Sequence, residues 1–183
     1  METIQKIDFA LLDAIQTIRS GFIDRLMVFF THLGDKRFIW ILAAAVLLCI
    51  RRYRQCAVTM LFGLFMQVLI GNHLLKNIFC RSRPCWISPI DDMLVRIPRD
   101  YSFPSGHTMS CFTAATILML YDKRLGIPAF IIGSIIAFSR LYLYVHFPID
   151  VLGGAVLGII LGLGASWTAR RFLFNTNPRN VDR

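Results

Sequence analysis

Charge is scarce in this chain. Only 17% of its 183 residues are charged, while 56% are hydrophobic. A soluble domain of one-domain length carries more charge and less apolar surface, so the excess has to face lipid. Acidic residues are scarcer still: 11 stand against 20 Lys and Arg, for a net charge of +9. That sign suits nucleic acid. Here, however, the basic residues lie beside apolar runs or inside short motif segments, not in a stripe interleaved with aromatics, which argues against nucleic-acid binding. The five cysteines (Cys49, Cys56, Cys80, Cys85 and Cys111) include no C-x-x-C pair and no zinc-like spacing. Cys49, Cys56 and Cys111 read as packing residues of apolar runs. Cys80 and Cys85 flank a basic cluster and read either as free thiols or as a disulfide of an oxidising compartment. Residues 1–20 carry Glu2, Asp8 and Asp13 and lack a continuous apolar core, so they do not resemble a cleaved signal peptide.

What the chain does have is apolar runs. Phe38–Ile50, Cys56–Leu75, Ser110–Tyr121, Ile127–Phe138 and Val151–Trp167 read as five membrane helices. Three of these runs are short for a span and have to extend into their flanks. Ser105 is a natural start for the third, the fourth continues past Arg140, and Pro148 suits the first turn of the fifth. Upstream, Leu11, Leu12, Ile15 and Ile18 have helical spacing with polar residues between them, as in a helix lying in the membrane interface. Gly21–Leu33 is apolar but contains Asp24 and Arg25, and reads as an interfacial or re-entrant helix, or as a sixth span; the interface is the favoured reading. The expected architecture is therefore an all-α polytopic bundle forming one domain over 1–183. Residues 1–36 form the interfacial segment, 37–170 the bundle, and 171–183 a cytoplasmic tail.

Parity assigns sides. Arg51, Arg52, Arg54, Lys123, Arg124, Arg170, Arg171, Arg179 and Arg183 fall on one side, which the positive-inside rule makes cytoplasmic. The other side is also basic, with Lys76, Arg81, Arg83, Arg96, Arg99 and Arg140, and a bound anion accounts for that excess. Gly154, Gly158 and Gly162 form a small-residue row that lets a neighbouring helix approach, within the bundle or in a homodimer; packing within the bundle is the favoured use.

Three clusters fall on that second side: Lys76 with Arg83-Pro84, then Pro104-Ser105-Gly106-His107, then Ser139-Arg140, His146 and Asp150. Lys76, Arg83 and Arg140 are three cations, and arginine forks match phosphate oxygens in pairs. Ser105 and Gly106 open a helix whose free N–H groups and positive dipole end attract an anion. Asp150 lies four residues after His146, where it can take a hydrogen bond from one imidazole nitrogen and leave the other to attack. His107 is a second imidazole, suited to protonating a leaving oxygen. Each feature alone has a plainer reading: a snorkelling cation, a helix cap, a packed histidine. Gathered on one face in complementary roles, they read as a site.

These three segments resemble the signature motifs of the type 2 phosphatidic acid phosphatase superfamily, from Lys76 to Asp150, with every motif position present and in order. That superfamily includes lipid phosphate phosphatases, undecaprenyl-diphosphate phosphatases, glucose-6-phosphatase, soluble acid phosphatases and vanadium haloperoxidases. The resemblance implies His146 as nucleophile through a phosphohistidine, Asp150 as its orienting partner and His107 as general acid. Lys76, Arg83, Ser105, Gly106 and Arg140 would hold the phosphate. It implies no metal and no cofactor. It also implies a multi-pass cell-membrane enzyme, monomer or homodimer, whose partners are the bilayer and a lipid phosphate or diphosphate on the extracytoplasmic face. Undecaprenyl diphosphate, phosphatidylglycerol phosphate, phosphatidic acid and a lipid A phosphate all fit, and the chain's brevity leans toward the first. The alternative is a non-catalytic lipid-binding or transport protein on the same fold. Finally, Cys85–Phe103 mixes Trp86, Ile90 and Ile97 with Arg96 and Arg99, and reads either as a lid at the outer surface or as a connector packed on the bundle.

Overall fold

The computed structural model describes residues 2–174, and every regular element among them is helical. Helices α1 (Glu2–Gln16) and α2 (Gly21–Gly34) come first, with Ser20 capping α2 by accepting from the Ile23 N–H at 3.4 Å. A tight turn, Asp35–Arg37, leads into α3 (Phe38–Cys49). Lys36 and Arg37 both lie in the left-handed region, at φ 47° and 64°, so the chain turns a sharp corner there. Next come α4 (Arg54–Gln67), wider π turns over Val68–Leu75 and α5 (Lys76–Phe79). The short α6 (Pro84–Ile87) precedes a long loop, followed by α7 (Gly106–Tyr121), α8 (Lys123–Tyr142) and α9 (Pro148–Thr168).

All five apolar runs form helices, and the fourth and fifth extend as their flanks suggest. Among the described residues, three helical stretches are long and apolar enough to cross a membrane by themselves: Arg51–Ile87, Lys123–Tyr142 and Pro148–Leu173. Helices α3 and α7 have 12 and 16 residues, about 18 and 24 Å at 1.5 Å per residue, which is short of the hydrocarbon core alone. Of the expected tail, residues 175–183, with Arg179 and Arg183, lie outside the described residues.

Helix α7 is the hub, buried between α4, α8 and α9. The glycine row of α9 faces it. A Cβ at Gly158 would stand 2.5 Å from the Met109 carbonyl oxygen, and one at Gly162 2.9 Å from that of Thr113. The row therefore serves packing within the bundle. The opposite face of α9 is a stripe of Leu152, Val156, Ile160, Leu163 and Trp167, all exposed, as a lipid-facing surface requires.

Helices α1 and α2 lie across one end of this bundle. Gln16 Nε2 donates to the Tyr142 carbonyl at 3.0 Å, and Leu12 is buried in a cluster with Tyr142 and Phe147. Along α2, Asp24 takes the Tyr142 hydroxyl at 2.6 Å, Thr31 meets Arg140, and Gly34 sits against Ile136. These contacts of α2 fall on the C-terminal half of α8, at the end that leads to His146. Cys80 is exposed, Cys85 is buried, and both are free thiols.

Candidate active site

Beside the end of α2 and the turn that follows it, at the end where α7 and α9 begin, lies a cavity of about 580 Å³. Lys76, Arg83, Gly106, His107, Arg140 and His146 line it, so six of the eight expected residues meet there. The other two stand behind its wall. Asp150 is fully buried under His146. Ser105 is also fully buried: its Oγ accepts from Thr108 Oγ1 at 3.0 Å and its N–H donates to the Asp150 carbonyl at 3.0 Å. Its hydroxyl is therefore engaged within the first turn of its own helix and does not line the cavity, while its backbone packs on α9, with a Gly154 Cβ only 2.8 Å from the Ser105 carbonyl.

The three cations are held differently. Lys76 Nζ donates to Asp100 Oδ2 at 2.5 Å and to the Tyr101 carbonyl at 2.9 Å. Arg83 donates to Asp100 Oδ1 at 2.8 Å, to the Asp100 carbonyl at 2.7 Å and to the Val145 carbonyl at 2.7 Å. Asp100 thus grips two cations with one carboxylate. Although partial burial opposes it, the pull of Lys76 and then Arg83 holds that carboxyl down at about 2. Arg140 is different: its Nη1 meets Thr31, but its buried Nε has no partner among the described residues. A buried guanidinium N–H left unsatisfied is costly unless a ligand completes it. The cavity lining also holds Lys36, Arg37, Arg96 and Arg99, and against these seven cations stand the carboxylates of Asp35 and Asp100, an excess of positive charge that suits a phosphate dianion.

His146 sits in the turn between α8 and α9, with Nε2 3.1 Å from Arg83 Nη1. A guanidinium only donates, so Nε2 carries the lone pair and the proton rests on Nδ1. Burial, then Arg83, Arg140 and Lys76, pushes the imidazole well below its ordinary range, so it is neutral. The expected direct bond to Asp150 is longer than a hydrogen bond, 3.6 Å from Nδ1 to Oδ2. Ser102 fills the gap, with Oγ bonded to Asp150 Oδ2 and 3.4 Å from Nδ1. Asp150 also accepts from the Phe147 N–H at 2.9 Å, so it caps α9 as well.

Several residues here escaped the sequence reading. Arg81 registers there only as one more basic residue, yet it bridges Asp150 and Asp8 and stacks over Phe147 at 4.3 Å. Asp35 bonds His107 Nε2 at 2.9 Å. Its hydrogen bond from His107, opposed by burial and joined by His32, holds its carboxyl down at about 2. Asp100, Ser102 and Asn72, the last a cavity residue in the π turns, carried no motif signal. The loop after α6 is divided: Ile90, Met93 and Leu94 pack on the α1–α2 cluster, Val95 touches both cluster and cavity, and Arg96–Asp100 line the cavity.

The chain is similar to known proteins over most of its length. The profile of the PAP2 superfamily matches residues 56–173. An undecaprenyl-diphosphatase of Sulfolobus acidocaldarius is 33% identical over 134 residues, which cover 73% of this chain and 64% of that protein. One from Bacillus subtilis is 29% identical over 144 residues, 76% of this chain and 72% of that protein. The crystal structure of a PAP2-type phosphatidylglycerolphosphate phosphatase from Bacillus subtilis superimposes with a TM-score of 0.77 at 28% identity, covering 94% of this chain and 89% of that one.

Proposed function

The chain belongs to the PAP2 superfamily, and from that premise we propose that it hydrolyses a membrane lipid phosphate or diphosphate through a phosphohistidine on His146. The observation that carries the reading is the pairing of His146 Nε2 with the Arg83 guanidinium inside a cavity where Arg140 Nε lacks a partner. A phosphoryl group seated on Arg83, Arg140 and Lys76 lies next to the lone pair that attacks it.

In the first step Nε2 forms a bond to phosphorus, the bond to the leaving oxygen breaks, and His107 gives that oxygen a proton. In the second, His107 takes a proton from water as the water oxygen attacks phosphorus, the P–N bond breaks, and inorganic phosphate leaves. The cations stabilise the charge on the equatorial oxygens in both steps. Gly106 and the start of α7 add N–H groups at the same wall.

The cavity lies on the side that parity makes extracytoplasmic, α3, α4–α5, α7, α8 and α9 serve as five spans, and α1 and α2 rest in the interface. The contacts of α2 with the cavity-side end of α8, together with Asp24 and Arg25 within it, support that placement. Relatives named for undecaprenyl diphosphate and for phosphatidylglycerol phosphate support a substrate of those types or of the phosphatidic acid type. A silent lipid-binding protein on this fold has no need of His146, His107 and Arg140 together.

The test is phosphate release by purified protein across these lipids with EDTA present, together with trapping of the labelled enzyme. Activity should survive EDTA, since the cavity presents cations where a metal would sit, and vanadate should inhibit. An acid-labile phosphoenzyme should form and be absent from His146→Ala. Turnover by purified His146→Ala, or activity lost to EDTA and restored by magnesium, would overturn the reading.

A further inference from the structure

We propose that Asp35, at the corner between α2 and α3, positions His107 as the general acid of this site, so that the segment upstream of the family-matched region takes part in leaving-group chemistry. The inference rests on the reading of His107 given above. Asp35 Oδ1 is 2.9 Å from His107 Nε2. Its other oxygen is 2.7 Å from His32 Nδ1, one turn back on α2, so the carboxylate is held at both oxygens. Residue 34 is glycine where a Cβ would stand 2.7 Å from His107 Cδ2, so the end of α2 is fitted directly against the imidazole ring. The corner itself is pinned, because Arg37 Nε donates to Gln67 Oε1 on α4 at 2.6 Å. The left-handed backbone of Lys36 and Arg37 costs free energy, and such conformations persist where surrounding contacts over-determine them.

The chemistry follows from which nitrogen is engaged. With Nε2–H donated to Asp35, His107 keeps Nδ1 for the reacting oxygens. The carboxylate stabilises the imidazolium before the proton leaves Nδ1 and keeps Nε2–H in place afterwards, so that bare Nδ1 can take a proton from water in the second step. Asp35 stays ionised throughout and touches no substrate atom. Help from a general acid matters most when the departing oxygen is strongly basic, as in an alkyl phosphate, and least for an aryl phosphate.

The experiment compares a long-chain alkyl phosphate with p-nitrophenyl phosphate in one detergent, using wild type, Asp35→Ala and His107→Ala, with vanadate inhibition as the check on an intact phosphate site. Both variants should lose at least about tenfold more kcat/KM on the alkyl than on the aryl substrate, with Asp35→Ala the milder. If His107→Ala is selective and Asp35→Ala is not, Asp35 has no part in the chemistry and the inference falls alone. If neither variant is selective, the assignment of His107 as acid falls, and the inference with it. Should Asp35→Ala fail to bind vanadate, Asp35→Asn, which keeps an acceptor without the charge, must show the same selectivity at smaller size; equal losses there overturn the inference.

Discussion

Arg81 Nη1 lies 2.5 Å from Asp150 Oδ1, and through Nη2 the same guanidinium reaches Asp8 at 2.5 Å. The carboxylate behind His146 is therefore tied to α1, far away in sequence. Removing Arg81 leaves two buried carboxylates without their cation, a change that typically costs about 3–5 kcal/mol when a buried pair is broken. Arg81→Ala is expected to lower kcat about 100-fold by loosening Asp150 and hence His146. Vanadate should still inhibit, because Lys76, Arg83 and Arg140 stay in place. Asp8→Asn should give a smaller loss of the same kind. Unchanged kcat in Arg81→Ala, or vanadate inhibition lost in parallel, contradicts the role.

Titration offers a separate check. The folded value of His146 is depressed below about 6.5, so the folded protein resists a proton that the unfolded chain accepts. Stability from this group is complete above about pH 6.5 and is lost as pH falls toward the folded value. Asp35 and Asp100, held at about 2 against 3.8, have the same sign and add a further loss between about pH 4 and 2. Thermal unfolding in detergent should show a plateau above neutrality and a decline beginning near pH 6.5. For the same reason, the acid limb of kcat/KM due to His146 should lie well below pH 6.5.

The divided loop after α6 separates two substitutions. Ile97 is exposed and lines the cavity, whereas Ile90 packs on the α1–α2 cluster. Trp86 braces the cavity part, with Nε1 donating to the Pro98 carbonyl at 3.1 Å. Ile97→Ser and Trp86→Ala should impair turnover of a long-chain lipid phosphate several-fold more than that of a short phosphate ester. Ile90→Ala should reduce both equally through packing. Equal losses in all three would remove the loop from lipid binding.

Gly158→Ala places a methyl 2.5 Å from the Met109 carbonyl and is expected to cost about 1–3 kcal/mol by overpacking. Gly164→Ala, where nothing lies within 4 Å, should be neutral or slightly stabilising. The pair, compared by thermal unfolding in detergent, tests the close α7–α9 contact.

Local pattern announced much of this protein. The five apolar runs became helices because an apolar chain in lipid has to satisfy its backbone internally. The meeting of Lys76, Arg83, Gly106, His107, Arg140 and His146 in one cavity was legible because helix parity puts their segments at the same end of the bundle. The glycine row was legible because a four-residue period marks one helix face.

Tertiary structure decided the rest, since those residues owe their roles to contacts far along the chain. Asp8 looks like a stray charge on an amphipathic helix until Arg81 joins it to Asp150. Asp100 looks like loop polarity until Lys76 and Arg83 close on it. Ser105 fits a phosphate motif, yet its hydroxyl is buried against Thr108 in the first turn of α7 and does not line the cavity. Sequence periodicity reports which face of a helix is apolar; it carries no information on which distant carboxylate a cation will meet, because that depends on how the helices cross.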